Sequence, residues 1–106
     1  MREFDAQQLE HYLKDCGSRP FLLDVRQPWE YDVCHIAGSQ LIPMGQITAE
    51  VDALDKNRET VVICHHGIRS RQIGYYLESA GFDNIINLKG GVDAWAKMID
   101  KNMATY

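Results

Sequence analysis

Cys64 stands at the end of a β-branched run, Thr60-Val61-Val62-Ile63, and is followed by His65-His66-Gly67-Ile68-Arg69-Ser70. That order places a thiol on a strand-to-helix turn, facing the N-terminus of the next helix. Three effects there favour the thiolate. The helix start offers free backbone N–H groups and partial positive charge. A turn containing Gly67 can aim several amides inward as an anion nest. Arg69 and Arg71 add cations, and no acid occurs between Thr60 and Leu77. A free cysteine with a pKa of about 8.5 is only roughly 3% thiolate at pH 7. Sites of this kind lower the pKa to roughly 3.5–7.5, so the sulfur would act as a nucleophile without a general base. The plain alternative is a small buried hydrophobe at a strand end. The flanking glycine, histidines and arginines favour the nucleophile.

Positioning such a turn takes strands and helices in alternation. Asp5-Ala6-Gln7-Gln8 has the form of a capping box. Leu9 and Leu13 then share a face, which predicts a helix over 6–14 that Gly17 ends. Phe21-Leu22-Leu23-Asp24-Val25 reads as a buried strand, 28–31 as one helical turn and 40–43 as a second short strand. Ile47, Val51 and Leu54 have the spacing of an amphipathic helix. The clearest strand is 60–64. Ile73, Tyr76, Leu77 and Ala80 share a helical face, with Gly81 as the stop. A strand over 84–88, a turn at Gly90-Gly91 and a last amphipathic helix through Val92, Trp95, Met98 and Ile99 complete the chain. Strands separated by helices need crossover connections. The expected class is therefore α/β, with a mostly parallel sheet and helices on its faces. Ligands of such sheets bind beyond the carboxyl ends of the strands, where Cys64 falls.

The chain has 106 residues, the size of one domain over 1–106. A hydrophobic fraction of 45% and a charged fraction of 25% exclude disordered and collagen-like chains. Eleven basic and fifteen acidic residues give a net charge of −4, whereas a nucleic-acid binder is expected to be basic. The longest apolar run, 60–64, is far short of the roughly 20 residues that span a bilayer. Met1-Arg2-Glu3-Phe4-Asp5 carries acids and no apolar stretch, so no secretory signal is expected. The three cysteines, Cys16, Cys34 and Cys64, are an odd number in a chain without such a signal. They argue against a disulfide scaffold and for a reducing, cytoplasmic compartment. No cofactor-binding motif is present, and neither a cofactor nor a metal is expected.

Four segments, in order, resemble the rhodaneses, and specifically single-domain thiosulfate sulfurtransferases. They are Leu23-Asp24-Val25-Arg26 followed by Glu30, His35-Ile36-Ala37-Gly38-Ser39, the loop Cys64 to Ser70, and Leu88-Lys89-Gly90-Gly91-Val92-Asp93-Ala94-Trp95. The resemblance runs over 4–100. It departs from the family pattern at Cys34, where glycine is usual, and at Ser39, where alanine is usual. It implies a rhodanese-like three-layer fold and a ping-pong reaction. Cys64 would take the outer sulfur of thiosulfate, or of another sulfane donor such as a persulfide, and release sulfite. Cyanide or a thiol, including a protein thiol, would then collect the sulfur. The resemblance gives His65, His66, Gly67, Ile68, Arg69 and Ser70 as the loop that binds substrate and persulfide, and Asp24 and Arg26 as residues that tie the loop in place.

Within that scheme Arg69 is the expected donor to the sulfite oxyanion, with Ser70 adding its hydroxyl. Arg71 reads as a rim residue, and Gly67 as the supplier of an unusual backbone angle. His65 and His66 either flank the mouth and tune substrate preference or are polar loop. Glu30 reads as a salt-bridge partner of Arg26, His35 as structural, Trp29 and Trp95 as core aromatics and Cys16 as inert. Cys34 would form a disulfide with Cys64 under oxidation if the two are close. Three other functions compete. A cysteine phosphatase or arsenate reductase would need arginine as the sixth residue after the cysteine, where Ser70 stands. A metal site could draw on Cys64, His65, His66, Cys34 and His35. However, adjacent ligands on a strand point in opposite directions, and zinc sites use wider spacing. A non-catalytic binding module would have no need of the intact cysteine loop.

Overall fold

The computed structural model describes all residues, Met1–Tyr106. Its elements in order are β1 (Arg2–Phe4), α1 (Ala6–Asp15), β2 (Phe21–Asp24), α2 (Pro28–Val33) and β3 (Gln40–Leu41). They continue with a single turn α3 (Ile47–Glu50), β4 (Thr60–Ile63), α4 (Ile68–Ser79), β5 (Ile85–Leu88) and α5 (Gly91–Met98). The five strands form one sheet in the order β1-β5-β4-β2-β3, and every pairing is parallel. The α/β expectation holds, because each parallel crossover needs a helix or long loop to return the chain.

All four residues of β4 are buried, and their alternation splits the core into two layers. Val61 and Ile63 face one cluster with Leu22, Ile86, Leu88, Leu9, Val92 and Trp95. That layer carries α1 and α5. Val62 and then Cys64 face the other, with Leu23, Ile73, Leu77 and Ile47. That layer carries α4 and α3. Cys34 belongs to the first cluster and Cys64 to the second. The sheet therefore stands between them, and all three cysteines are free thiols.

Several elements differ from the sequence reading. β1 was not expected: it is a three-residue edge strand, paired Arg2 to Ile86 through Phe4 to Leu88. Its residues are half-exposed or exposed, so it carries no apolar pattern to reveal it. The helix at α1 begins as expected, with Asp5 accepting from the Gln8 N–H at 2.8 Å and Gln8 reaching back to the Asp5 N–H at 2.9 Å. It ends without using Gly17; the Cys16 N–H donates to the Tyr12 carbonyl instead, and Gly17 has no left-handed angle. The expected helix around Ile47, Val51 and Leu54 is broken into α3 flanked by 3-10 turns, Met44–Gln46 and Val51–Ala53. Ile47, Thr48 and Val51 are β-branched and weaken a continuous helix. Ile47 and Val51 are nevertheless buried, as their spacing implied.

Trp95 is a core residue at 8% exposure, but Trp29 is not: it is 60% exposed. Trp29 lies in the first turn of α2, where Pro28 opens the helix and Glu30 takes the inward position. The two tryptophans therefore predict opposite outcomes. Trp95→Ala should cost about 3–5 kcal/mol by urea denaturation. Trp29→Ala should stay within about 1 kcal/mol of the parent, since it removes a single edge contact with the Tyr106 ring.

Candidate active site

The chain leaves β4 at Ile63 and enters α4 at Ile68, and the residues between wrap the Cys64 sulfur. Sγ is buried, with Cys64 1% exposed. It accepts from the Gly67 N–H at 3.0 Å and the Ser70 N–H at 3.3 Å, and the Ser70 hydroxyl lies 3.3 Å away. Two amides from the start of α4 thus point at the sulfur, and donors so placed stabilise negative charge there. Gly67 makes this possible with a left-handed φ of +92°. A Cβ on it would lie 2.9 Å from the Gly90 nitrogen and 3.0 Å from the Leu88 carbonyl.

The loop is held from behind by the turn after β5. The Val92 N–H donates to the Cys64 carbonyl at 2.9 Å and the Asp93 N–H to the His65 carbonyl at 3.0 Å. Those bonds fix the loop's carbonyls on the side of α5. Gly91 sits so close that a Cβ there would overlap both carbonyl oxygens, and its φ is also left-handed at +61°. The Gly90-Gly91 pair is thus a backbone clamp on the Cys64 loop.

Asn87 is a site residue that the sequence analysis does not single out; it falls within the strand expected over 84–88. It is fully buried. Its Oδ1 accepts from the Ser70 hydroxyl, and its Nδ2 donates to the Gly67 carbonyl at 3.1 Å and to Glu3 Oε2 at 3.0 Å. It therefore ties β5 to the helix side of the loop, at Gly67 and Ser70. The available signal was a lone amide inside Ile85-Ile86-Asn87-Leu88, because a buried polar side chain must find partners.

The arginines are placed differently from expectation. Arg69 is gripped by Glu30 through two 2.8 Å bonds, Nη1 to Oε1 and Nη2 to Oε2. Arg26 does not pair with the Glu30 carboxylate. It is fully buried, bonds Asp24 at 2.7–3.1 Å, and reaches the Glu30 and Cys34 carbonyls. The reason is reach: Asp24 is two residues away on the same strand exit, while α2 turns the Glu30 carboxylate toward α4. Arg71 is a rim residue, as expected, bound to Glu3 by two 3.1 Å contacts.

Tyr106 is the second residue that was missed. Its hydroxyl donates to Glu30 Oε2 at 2.8 Å and accepts from Arg26 Nη1 at 2.9 Å. Its ring stacks on His65 at 4.0 Å and meets Trp29 edge-on at 5.3 Å. No local pattern announces this; the contact depends on residues 80 and 41 positions away in the chain. Burial, with Glu30 adding to it, pushes the Tyr106 phenol up to about 12. The Arg69 guanidinium, helped by the Gln27 N–H and the Tyr106 hydroxyl, holds the Glu30 carboxyl down at about 2. Burial, with His66 beside it, lowers the His65 imidazole below the ordinary histidine value. His66 is exposed and lies 4.0 Å from Asp93. His35 is exposed and stacks on Tyr31, away from this group.

The sequence and the fold are those of a known family. The rhodanese-like domain model matches residues 5–98, and the chain belongs to the rhodanese family. It is 38% identical over 94 residues to the probable adenylyltransferase/sulfurtransferase MoeZ of Mycobacterium tuberculosis, covering 87% of this chain and 24% of that protein. The chain thus spans about a quarter of the length of that relative. It is 33% identical over 97 residues to a sulfurtransferase of Allochromatium vinosum, covering 92% of this chain and 90% of that one. A rhodanese-like domain protein from Staphylococcus aureus superposes with a TM-score of 0.82 at 29% identity, over 90% of this chain and 91% of that one.

Two predictions test the construction. Gly91→Ala should lower unfolding free energy by at least about 2 kcal/mol, combining left-handed strain with overlap against the loop. Gly17→Ala, with an ordinary φ and nothing near its Cβ, should stay within about 0.5 kcal/mol. Denaturant titration of both separates the clamp from a generic glycine effect. For Glu30, the folded carboxyl lies near 2 against an unfolded value near 4.5. Its contribution is complete above 4.5 and is lost as pH falls toward 2. Arg69 is one-third exposed, so screening reduces the contribution to on the order of 1–2 kcal/mol. Thermal unfolding followed from pH 6 to pH 2.5 should show a smaller acid loss in Glu30→Gln than in the parent.

Proposed function

We propose that this chain is a sulfurtransferase that carries sulfane sulfur on Cys64, as one rhodanese-like domain over 1–106. The observation that supports it most is the pair of α4 amides, Gly67 and Ser70, directed at Sγ. In the first half-reaction the Cys64 thiolate attacks the outer sulfur of thiosulfate or of a persulfide donor. A new S–S bond forms, the donor's S–S bond breaks, and its electron pair leaves with sulfite or with a thiolate. The enzyme is left as a Cys64 persulfide anion. In the second half-reaction cyanide or a thiol, including a protein thiol, attacks that outer sulfur. The pair returns to Cys64, and no external oxidant or reductant is needed. Charge on the persulfide is the same sign as on the thiolate, so one set of amides serves both states.

The loop residues take graded parts. His65, His66 and Ile68 form the rim, Gly67 and Ser70 donate to sulfur, and Arg69 offers the leaving oxyanion the N–H groups that Glu30 leaves free. The Ser70 hydroxyl adds a donor by turning from Asn87 to Sγ once the thiol has lost its proton. Asp24 and Arg26 hold the segment that carries Glu30. A reducing compartment, the cytoplasm, belongs to the same proposal, because the reaction needs Cys64 as a free thiol and the cysteines are unpaired. No helix is long and apolar enough to cross a membrane. The phosphatase alternative is disfavoured by the loop itself: the sixth residue is Ser70, whose amide bonds the sulfur, and the nearest arginine is held by Glu30.

The test is thiocyanate formation from thiosulfate and cyanide by the reduced chain beside Cys64→Ala. Activity in the parent and at least a thousandfold loss in the variant are expected, since the nucleophile makes the covalent intermediate. Intact mass after exposure to donor should show one added sulfur atom in the parent and none in the variant. If the parent shows neither thiocyanate nor an added sulfur with thiosulfate or cysteine persulfide, the proposal fails and a binding role replaces it.

A further inference from the structure

His65, His66 and Asp93 form a group for which sulfur transfer has no direct use. The strand-alternation argument against a metal there does not survive in the structure. β4 ends at Ile63, and the two histidines lie beyond the ladder. Their rings are on the same side, with centroids 3.9 Å apart and planes 31° apart. Asp93 comes from the first turn of α5, carried there by its own N–H bond to the His65 carbonyl. One ligand atom from each residue lies within 4.8 Å of the other two.

We propose that His65, His66 and Asp93 bind a borderline divalent transition-metal cation, with zinc as the reference ion, beside the nucleophile loop. Two imidazoles and a carboxylate are ligands that zinc and nickel accept, and they leave coordination positions for water. Ligands at about 2.0–2.2 Å from a tetrahedral ion stand about 3.3–3.5 Å from each other. The group must therefore contract by roughly one ångström. His66 is exposed, at 59% of its side chain, and is free to turn inward. His65 is the fixed member, stacked between His66 and Tyr106. Asp93 is the contested one: its Oδ2 also accepts from Lys97 at 3.0 Å. Lys97 competes with the ion for that carboxylate, and its removal should strengthen binding. The site is independent of whether Cys64 carries sulfur.

The experiment is a zinc titration against a chromophoric zinc indicator, using the full chain as Cys64→Ala so that the nucleophilic thiol contributes nothing. One zinc per chain is expected. His66→Ala or Asp93→Asn in that background should raise Kd at least tenfold, and Lys97→Ala should lower it. His66 and Asp93 are not core side chains, and circular dichroism of each variant is the control for folding. Imidazole resonances of His65 and His66 should shift on zinc addition, while those of His11 and His35 stay in place. Absence of binding to Cys64→Ala overturns the site, because the three proposed ligands are all intact in that variant. A Kd in both His66→Ala and Asp93→Asn that is unchanged from the Cys64→Ala background also overturns it, since the zinc would sit elsewhere.

Discussion

The Cys64 loop depends on a close approach of backbone to backbone. β4 and β5 are parallel neighbours, so the turns that leave their carboxyl ends emerge side by side. The first carries Cys64, and the second carries Gly90 and Gly91. Only residues without Cβ fit where these turns meet, because Gly67 presses on the Gly90 nitrogen and Gly91 on the Cys64 and His65 carbonyls. With those carbonyls bonded to the amides of Val92 and Asp93, amides of the α4 start are left to face the sulfur. The helix start then supplies the positive potential. The clamp, the nest and the burial of Cys64 are therefore one arrangement, and Asn87 closes it by bonding Ser70 and Gly67 from β5.

Charge around the loop is organised by pairing. Arg69 has Glu30, Arg26 has Asp24, and Arg71 has Glu3. The local sequence is basic, but each cation meets an acid contributed from elsewhere in the fold. The Cys64 sulfur consequently meets neutral, short-range amides rather than free cations. The pairs have a second consequence. Asp24, Arg26, Tyr106, Glu30 and Arg69 are joined by successive hydrogen bonds, linking β2, α2, α4 and the end of the chain. A buried guanidinium such as Arg26 is costly to leave unpaired, so this chain of bonds fixes the outer wall of the loop.

Much of the fold could be read from local pattern. The runs at 21–25 and 60–64 are mostly apolar, and Ile85, Ile86 and Leu88 dominate the third, because parallel central strands are covered on both faces. The amphipathic spacing of α4 and α5 and the capping box of α1 are equally local. The edge strand β1 was hidden because only one side of it is paired and it carries no apolar run. Trp29 was misplaced because hydrophobicity alone does not say which face of a one-turn helix meets the core. Glu30 was assigned the wrong arginine because sequence proximity favoured Arg26, whereas α2 aims the carboxylate at α4.

By itself the sequence determined most of the elements, their α/β alternation and the placing of Cys64 on a turn between a strand and a helix. Those depend on residue type, spacing and short-range hydrogen bonding, all of which lie within a few residues of one another. It also marked Gly67 and Gly90-Gly91 as turn positions, although not what they press against, and gave Gly17 a part in ending α1 that the fold does not use. The tertiary structure decided which charges cancel, which polar side chain supports the loop and which aromatic ring covers its edge. Arg69 with Glu30, Asn87 with Ser70, and Tyr106 with His65 are separated by 39, 17 and 41 positions. Such pairs are made only when crossovers bring strand ends together, and no local pattern encodes them.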